Sequence, residues 1–193
     1  MPNLRPTLAG IFCLGLSIIL FEIALTRVFA IMMWHHFTYM VISIGLLGFG
    51  ASGSLLTAQR ASEQKGDPND TLARVSFAYG VSVVAAFLVA TRIQPDSLAI
   101  WQDKSNFLWL SLIYLVIGVP FLLGGYGIGL ALTRCVKDVN RLYFADLVGS
   151  ALGAGIATLL LKGCGSTASV VIAGSFGLLA AACFGFGGAR RAV

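Results

Sequence analysis

Residues 8–29 read LAGIFCLGLSIILFEIALTRVF, an apolar run that contains one acidic and one basic side chain. A helix needs about 20 predominantly apolar residues to cross the hydrocarbon core of a bilayer. The run is continuously apolar, whereas a surface helix of a soluble protein carries an apolar stripe on one side only. We therefore predict that these residues form a transmembrane helix.

Similar runs recur five more times along the chain. We predict six spans, at about residues 8–29, 37–56, 72–90, 107–132, 142–161 and 168–186. Of the 193 residues, 58% are hydrophobic and 11% are charged, whereas a soluble domain carries roughly 25% charged residues. So few charges could not cover a water-facing surface. The prediction is an all-α, polytopic membrane helix bundle that forms a single transmembrane domain over residues 1–193.

Basic residues fall mainly on one side of these spans. If the N-terminus is cytoplasmic, nine of the 13 Lys and Arg residues are cytoplasmic, and the other four are Arg27, Arg92, Lys104 and Lys162. Cytoplasmic loops of membrane proteins carry an excess of Lys and Arg, so we expect both termini to be cytoplasmic. The same distribution explains the net charge of +5. The expected surrounding is therefore a lipid bilayer, and nucleic acid is not an expected partner.

Four polar side chains are candidates for a role inside the membrane: Glu22, Arg27, Asp146 and Tyr143. Ionisable groups at this depth are costly and need a partner or a function. We expect Glu22 in the outer leaflet, with Arg27 or a histidine beyond it as its partner.

Asp146 is expected in the inner leaflet, where Arg134 and Arg141 are its natural partners. Because Glu22 and Asp146 are then in opposite leaflets, we do not expect them to form one carboxylate pair. Two interpretations stay open for each carboxyl group. It is a structural ion pair or hydrogen-bonded helix contact, or it belongs to a substrate or proton site.

His35 and His36 are the only histidines, and they lie beside Trp34. Adjacent helical residues project about 100° apart and do not converge on one metal ion, so no metal site is expected. We interpret the three residues as an interfacial cluster. No cofactor is evident, and contact with a lipid, a quinone or a cofactor held by a partner subunit remains an alternative.

Glycine is abundant, with 23 residues clustered in three of the spans. Small residues let helices approach closely in lipid, so we predict helix-packing roles for Gly48, Gly50, Gly53, Gly125, Gly129, Gly149 and Gly153. The alternative is broken helices that line a site. Residues 48–53 also match G-x-G-x-x-G, but a dinucleotide site requires a preceding strand, and here the motif lies within an apolar span.

A short segment occurs twice, as ALTR at residues 24–27 and again at residues 131–134. The first copy ends span one and the second ends span four, on opposite sides of the membrane. Two three-helix halves of opposite topology, as in some transporters, would produce this pattern.

Three segments carry a family resemblance: FEIALTRVF at residues 21–29, IGLLGFGASGSLL at residues 44–56, and NRLYFADLVGSALG at residues 140–153. They resemble the membrane region of multi-spanning bacterial spermidine-synthase-like proteins, polyamine aminopropyltransferase-like enzymes. The resemblance implies a multi-pass protein of the bacterial inner membrane. In that family such helices are commonly joined to a soluble catalytic domain, and no stretch of this sequence alternates strands with helices as that domain would.

Three functions are compatible with these observations. The first is a non-catalytic integral membrane subunit that anchors or organises a larger membrane complex, with other membrane subunits as partners. The second is a small cation or polyamine transporter that uses Glu22 or Asp146. The third is the membrane half of a spermidine-synthase-like enzyme whose catalytic domain is a separate chain. No catalytic constellation is visible, so we do not expect the chain to be an enzyme by itself.

Overall fold

A computed structural model describes residues 4–32, 38–60, 68–92 and 104–189, and six α-helices account for nearly all of them. They are α1 (Leu4–Met32), α2 (Thr38–Arg60), α3 (Pro68–Arg92), α4 (Lys104–Arg134), α5 (Val139–Gly163) and α6 (Gly165–Ala189). A short 3₁₀ turn, Val136–Asp138, leads into α5. All six helices are long and apolar enough to cross a membrane, and the described residues contain no strand. The chain is thus an all-helical, multi-pass membrane protein.

The helices extend beyond the apolar runs that predict them. The helix α1, for example, covers Leu4–Met32 where the sequence indicates residues 8–29, because helical hydrogen bonding continues into the polar flanks of a span. The helix α5 ends at Gly163 and α6 begins at Gly165, whose φ of +80° reverses the chain at this point. A residue with a Cβ rarely adopts this left-handed conformation, so glycine allows the short connection.

The helix α1 lies at the centre of the bundle and is largely buried. It packs mainly against α5 and α6, whereas α4 packs mainly against α2 and α3, and α3 also packs against α6. The helices α2 and α5 are the least buried of the six. They therefore flank the bundle, and much of their surface is left for lipid or for another protein.

These contacts follow a two-fold pattern. The helix α1 of the first half corresponds to α4 of the second half, α2 to α5, and α3 to α6. With this correspondence, the packing of α1 against α5 and α6 matches the packing of α4 against α2 and α3. The helices α1 and α4 run antiparallel, since Ile18 is close to Gly124 while Phe29 stacks near Tyr114, with ring centroids 6.0 Å apart. The second half of the chain thus repeats the packing pattern of the first half, with α4 antiparallel to α1.

Two helix crossings join equivalent helices of the two halves. Where α3 crosses α6, a Cβ added to Gly177 would lie 2.9 Å from the Cα of Gly80. In the other crossing, Ile18 of α1 contacts Gly124 of α4. Aligning the two ALTR segments gives an offset of 107 residues (131 − 24), which makes Gly124 the equivalent of Ser17. Ile18 is also the midpoint of α1 (Leu4–Met32), the central helix, and marks the middle of the bundle.

Both described ends of the chain lie at the same end of the bundle. A Cβ added to Gly187 of α6 would lie 3.4 Å from Cγ of Pro6 in α1. Arg74, Arg134, Lys137 and Arg141 lie at this end as well, since they fall in the first turns of α3 and α5 or near the end of α4. Among the described residues this end carries more Lys and Arg than the opposite end, although Asp70 and Asp138 pair with Arg74 and Arg141 there.

Candidate functional site

The crossing of α1 with α5 is the closest helix contact that glycines make in this structure. A Cβ added to Gly153 would lie 2.5 Å from the carbonyl oxygen of Leu16, and one added to Gly149 would collide with the carbonyl oxygen of Phe12. The small residues of this G-x-x-x-G pair therefore bring two helix backbones into direct contact, as close packing in lipid requires.

The α2–α4 crossing uses glycines from both helices. A Cβ on Gly48 would lie 2.7 Å from Cβ of Phe121, one on Gly125 would lie 2.7 Å from Oγ of Ser52, and one on Gly129 would lie 2.5 Å from Cδ1 of Leu56. Both helices are continuous through these glycines. The alternative of broken helices at the glycine clusters is therefore wrong for α2 and α4.

Two of the glycines predicted to pack helices together do not contact another described helix. A Cβ added to Gly50 or Gly53 of α2 would meet nothing within 4 Å among the described residues, and the same holds for Gly155 of α5. All three glycines are exposed on the outer faces of the two flanking helices. Their lack of side chains is therefore not needed for packing within the described chain.

Glu22 lies on α1 where this helix faces α2 and α4. Its Oε1 and the ring of Phe121 each lie 3.7 Å from the position of a Cβ on Gly45. The residue is half-buried, and no ion pair to Glu22 is found within the described residues. Arg27, one of the partners expected from the sequence, is exposed five residues further along α1, and the other candidates, His35 and His36, lie outside the described residues.

Asp146 lies in the crossing of α5 with α1. Its Oδ1 is buried and has no hydrogen-bond partner among the described residues. This oxygen occupies the space in front of Gly15, where any Cβ would collide with it. The predicted pairing with Arg141 is wrong, because Nη1 of Arg141 lies 3.6 Å from Oδ1 of Asp138 instead.

The two carboxyl groups lie on one face of α1. Gly15, which faces Asp146, and Glu22 are seven residues apart, so they project within about 20° of each other and are separated by about 10 Å along the helix. Gly15 lies about 5 Å on one side of the middle of the bundle, and Glu22 about 6 Å on the other. The carboxyl groups therefore lie on opposite sides of the middle, both at the depth where charge is most costly.

The remaining candidate site residues are not found on this face of α1 in the described structure. Tyr143 is 54% exposed on the outside of α5. Trp34, His35 and His36 lie outside the described residues. Within the part of the chain that the structure describes, no group of three His, Cys, Asp or Glu side chains could hold a metal ion.

One polar cluster was not predicted from the sequence. Oγ of Ser17 donates to the carbonyl oxygen of Ala173 at 2.5 Å and lies 3.0 Å from the hydroxyl of Tyr79, which therefore donates to Ser17. Serine and tyrosine are unremarkable in an apolar run, so only their three-dimensional placement reveals the cluster. It joins α1, α3 and α6 in the middle of the bundle and satisfies every hydroxyl proton in it.

Comparisons with models of protein families, with curated proteins and with solved structures found no match to this chain.

Proposed function

We propose that the chain is a non-catalytic integral membrane subunit that anchors or organises a larger membrane protein complex. The proposal includes an orientation with both termini in the cytoplasm and a location in the bacterial inner membrane. The larger number of Lys and Arg residues at the end that holds both described chain ends supports the orientation, since the cytoplasmic side usually carries an excess of these residues.

The observation that carries the proposal is the pair of small-residue stripes on the outer faces of α2 and α5. On α2, Gly50 and Ser54 are four residues apart and both are exposed. On α5, Ala151 and Gly155 have the same spacing and the same exposure. This small-xxx-small pattern is typical of surfaces that pack against another transmembrane helix. Inside the chain the same spacing at Gly149 and Gly153 serves that purpose, so the outer stripes are suited to helices of other chains.

The resemblance to spermidine-synthase-like proteins suggests one kind of partner. A separate chain with an aminopropyltransferase-like fold would make this protein the membrane half of a two-chain enzyme. The small residues would then face the membrane segment of that chain, and its soluble part would lie over the basic cytoplasmic end.

The experiment is affinity purification from native membranes with quantitative mass spectrometry. We expect stoichiometric partner chains with the wild type, and their loss with Gly50→Leu and Gly155→Leu. Gly185→Leu in α6 is the matched control, since a Cβ at Gly185 also meets nothing within 4 Å but lies outside the two stripes. Equal recovery of partners from all four proteins would contradict the proposal.

A second candidate function is transport of a cation or polyamine. It is favoured by the positions of Glu22 and Asp146 near the middle of a bundle whose two halves repeat one packing pattern, since transporters built from inverted repeats bind substrates at this level. The test is uptake into proteoliposomes. Loss of uptake in Glu22→Gln or Asp146→Asn, with unchanged thermal unfolding, would support transport, and normal flux in both variants would exclude these carboxyl groups from it.

A further inference from the structure

A groove runs between α1 and α5 on the surface of the bundle, at the end where both helices begin. Its volume is about 660 Å³. Its apolar walls are formed by Leu8, Ala9, Phe12, Phe144, Ala145 and Val148. At the end nearest the start of α5, Asn140 and Arg141 complete the lining. The groove is thus apolar along its length and has a polar mouth.

Each wall of the groove continues into an arginine. On α5, Arg141 precedes the three apolar residues of the wall by three, four and seven residues, and these spacings place side chains on one face of a helix. On α1, Arg5 precedes its three wall residues by the same three spacings. The two helices run parallel, since the α1 contact of Gly153 lies four residues beyond that of Gly149. Arg5 and Arg141 therefore lie at the same end of the groove, and both are exposed.

The depth of the two arginines corresponds to the headgroup region of a bilayer. Arg5 precedes Ile18, at the middle of the bundle, by 13 residues, or about 20 Å along the helix. Arg141 precedes Gly153, which contacts Leu16 near the middle, by 12 residues, or about 18 Å. The hydrocarbon core ends about 15 Å from the middle of a bilayer, and the headgroups extend to about 20–22 Å. Both arginines therefore lie at the level of lipid phosphates, and the apolar walls lie at the level of acyl chains.

The mouth of the groove favours an anion. Residues 134–141 contain three basic residues and one acidic residue, Asp138. Nη1 of Arg141 lies 3.6 Å from Oδ1 of Asp138, and this exposed contact involves one end of a guanidinium group that carries five N–H donors. The helices α1 and α5 both begin at this end, so the positive ends of two helix dipoles point towards the mouth. A negatively charged group is therefore attracted from both sides of the groove.

Two other grooves on the bundle differ from this one in charge. The α3–α6 groove is lined by Arg74, which is paired with Asp70 at 3.1 Å. The helix α6 ends there, so it contributes the negative end of its dipole. None of the described residues that line the α2–α4 groove is charged. Selective binding of an anion is therefore expected between α1 and α5.

We propose that the α1–α5 groove binds an anionic glycerophospholipid, with its phosphate between Arg5 and Arg141 and the upper part of one acyl chain against the apolar walls. The guanidinium groups donate to the phosphate oxygens, a geometry that suits arginine well. In the proposed orientation the lipid belongs to the cytoplasmic leaflet, where basic pockets between transmembrane helices bind anionic headgroups. Arg141 is about 15 Å along α5 from Ala151, so the phosphate contacts lie apart from the outer small-residue stripe.

The test compares phosphatidylglycerol, which is anionic, with phosphatidylethanolamine, which carries the same acyl chains and no net charge. Binding to the full chain in a neutral detergent is titrated by native mass spectrometry. We expect the wild type to prefer phosphatidylglycerol. Arg5→Gln and Arg141→Gln should each weaken phosphatidylglycerol about fivefold, the effect of one basic residue beside an anionic lipid, and the preference should disappear in the double variant.

Arg74→Gln is the matched control, since it removes the same charge from the α3–α6 groove and should leave the preference intact. Ala9→Leu should weaken both lipids by filling the α1–α5 groove. If the double variant does not fold, the single variants still decide the question. Equal binding of the two lipids by the wild type overturns the proposal, and so does an equal loss of preference in Arg74→Gln and Arg141→Gln. A photo-crosslinker at Phe144 should capture a lipid in native membranes, and capture of a protein instead also overturns it.

Discussion

The close contact between α1 and α5 predicts that Gly153→Ala lowers the stability of the protein. In Gly153→Ala the new Cβ would lie 2.5 Å from the carbonyl oxygen of Leu16, with the Leu16 backbone carbons at 3.1 and 3.2 Å. Because these atoms are backbone, no side chain can rotate away and the two helices must separate. Forcing one methyl group into a close-packed contact costs about 1–3 kcal/mol.

The loss of stability in Gly153→Ala is best compared with that in Gly155→Ala, a substitution two residues further along the same helix. A Cβ at Gly155 meets nothing within 4 Å. Both substitutions gain the same intrinsic helix propensity, about 1 kcal/mol for glycine to alanine, so this gain cancels in the comparison. We therefore expect Gly153→Ala to be less stable than Gly155→Ala by about 1–3 kcal/mol, with Gly149→Ala shifted in the same direction.

The assay is reversible unfolding of the purified protein in mixed micelles, followed by circular dichroism, with each variant measured in the same lipid-to-detergent ratio. Disruption of the crossing should also separate α1 from α5, which can be measured as an increased distance between spin labels on the two helices. Equal stability of Gly153→Ala and Gly155→Ala would refute the packing of α1 against α5 described here.

The remaining predictions concern the interior, the topology and the surface. Tyr79→Phe removes the donor to Ser17 and should lower the free energy of unfolding by about 1 kcal/mol, which chemical denaturation measures. Cys164 is exposed at the α5–α6 turn, so a membrane-impermeant maleimide should label it in intact cells. The signal should vanish in Cys164→Ser. Labelling of Cys164 only after permeabilisation would contradict cytoplasmic termini. Asp70→Asn breaks the exposed ion pair with Arg74 and should change stability by less than about 0.5 kcal/mol in the same denaturation assay, since such helix pairs contribute little.

The sequence predicts the number of spans well because each span is a continuous apolar run that has to satisfy its backbone polar groups within a helix. It predicts helix faces poorly. Gly50 and Gly153 have similar neighbours in the sequence, yet only Gly153 packs within the described chain. In lipid the residues facing a neighbour and those facing acyl chains are both apolar, so the usual contrast between buried and exposed positions is absent.

The pairing of Asp146 illustrates a second limit. Arg141 is five residues from Asp146, which places the two side chains about 140° apart on a helix. Asp138 is three residues from Arg141 and shares its face, and the structure joins this pair. Helical spacing could have predicted this result, whereas the burial of Asp146 against Gly15 depends on the packing of α5 on α1 and leaves no local signal.

The packing pattern shared by the two halves was visible in the sequence only as the repeated ALTR segment. A weaker correspondence follows from the structure: Leu47-Gly48-x-Gly50 in α2 is matched by Leu152-Gly153-x-Gly155 in α5. Close packing in lipid constrains residue size at the crossings more than residue identity. Two halves can therefore keep one architecture while most of their apolar residues differ.

The proposed role in assembly is tested most directly by the composition of the particle that contains this chain in native membranes. Extraction into native nanodiscs without detergent, followed by mass photometry and mass spectrometry, measures the mass and the stoichiometry together. We expect a particle of several chains in fixed proportion, which dissociates when Gly50 and Gly155 are replaced by leucine. A lone chain surrounded only by lipid, unchanged by those substitutions, would contradict it.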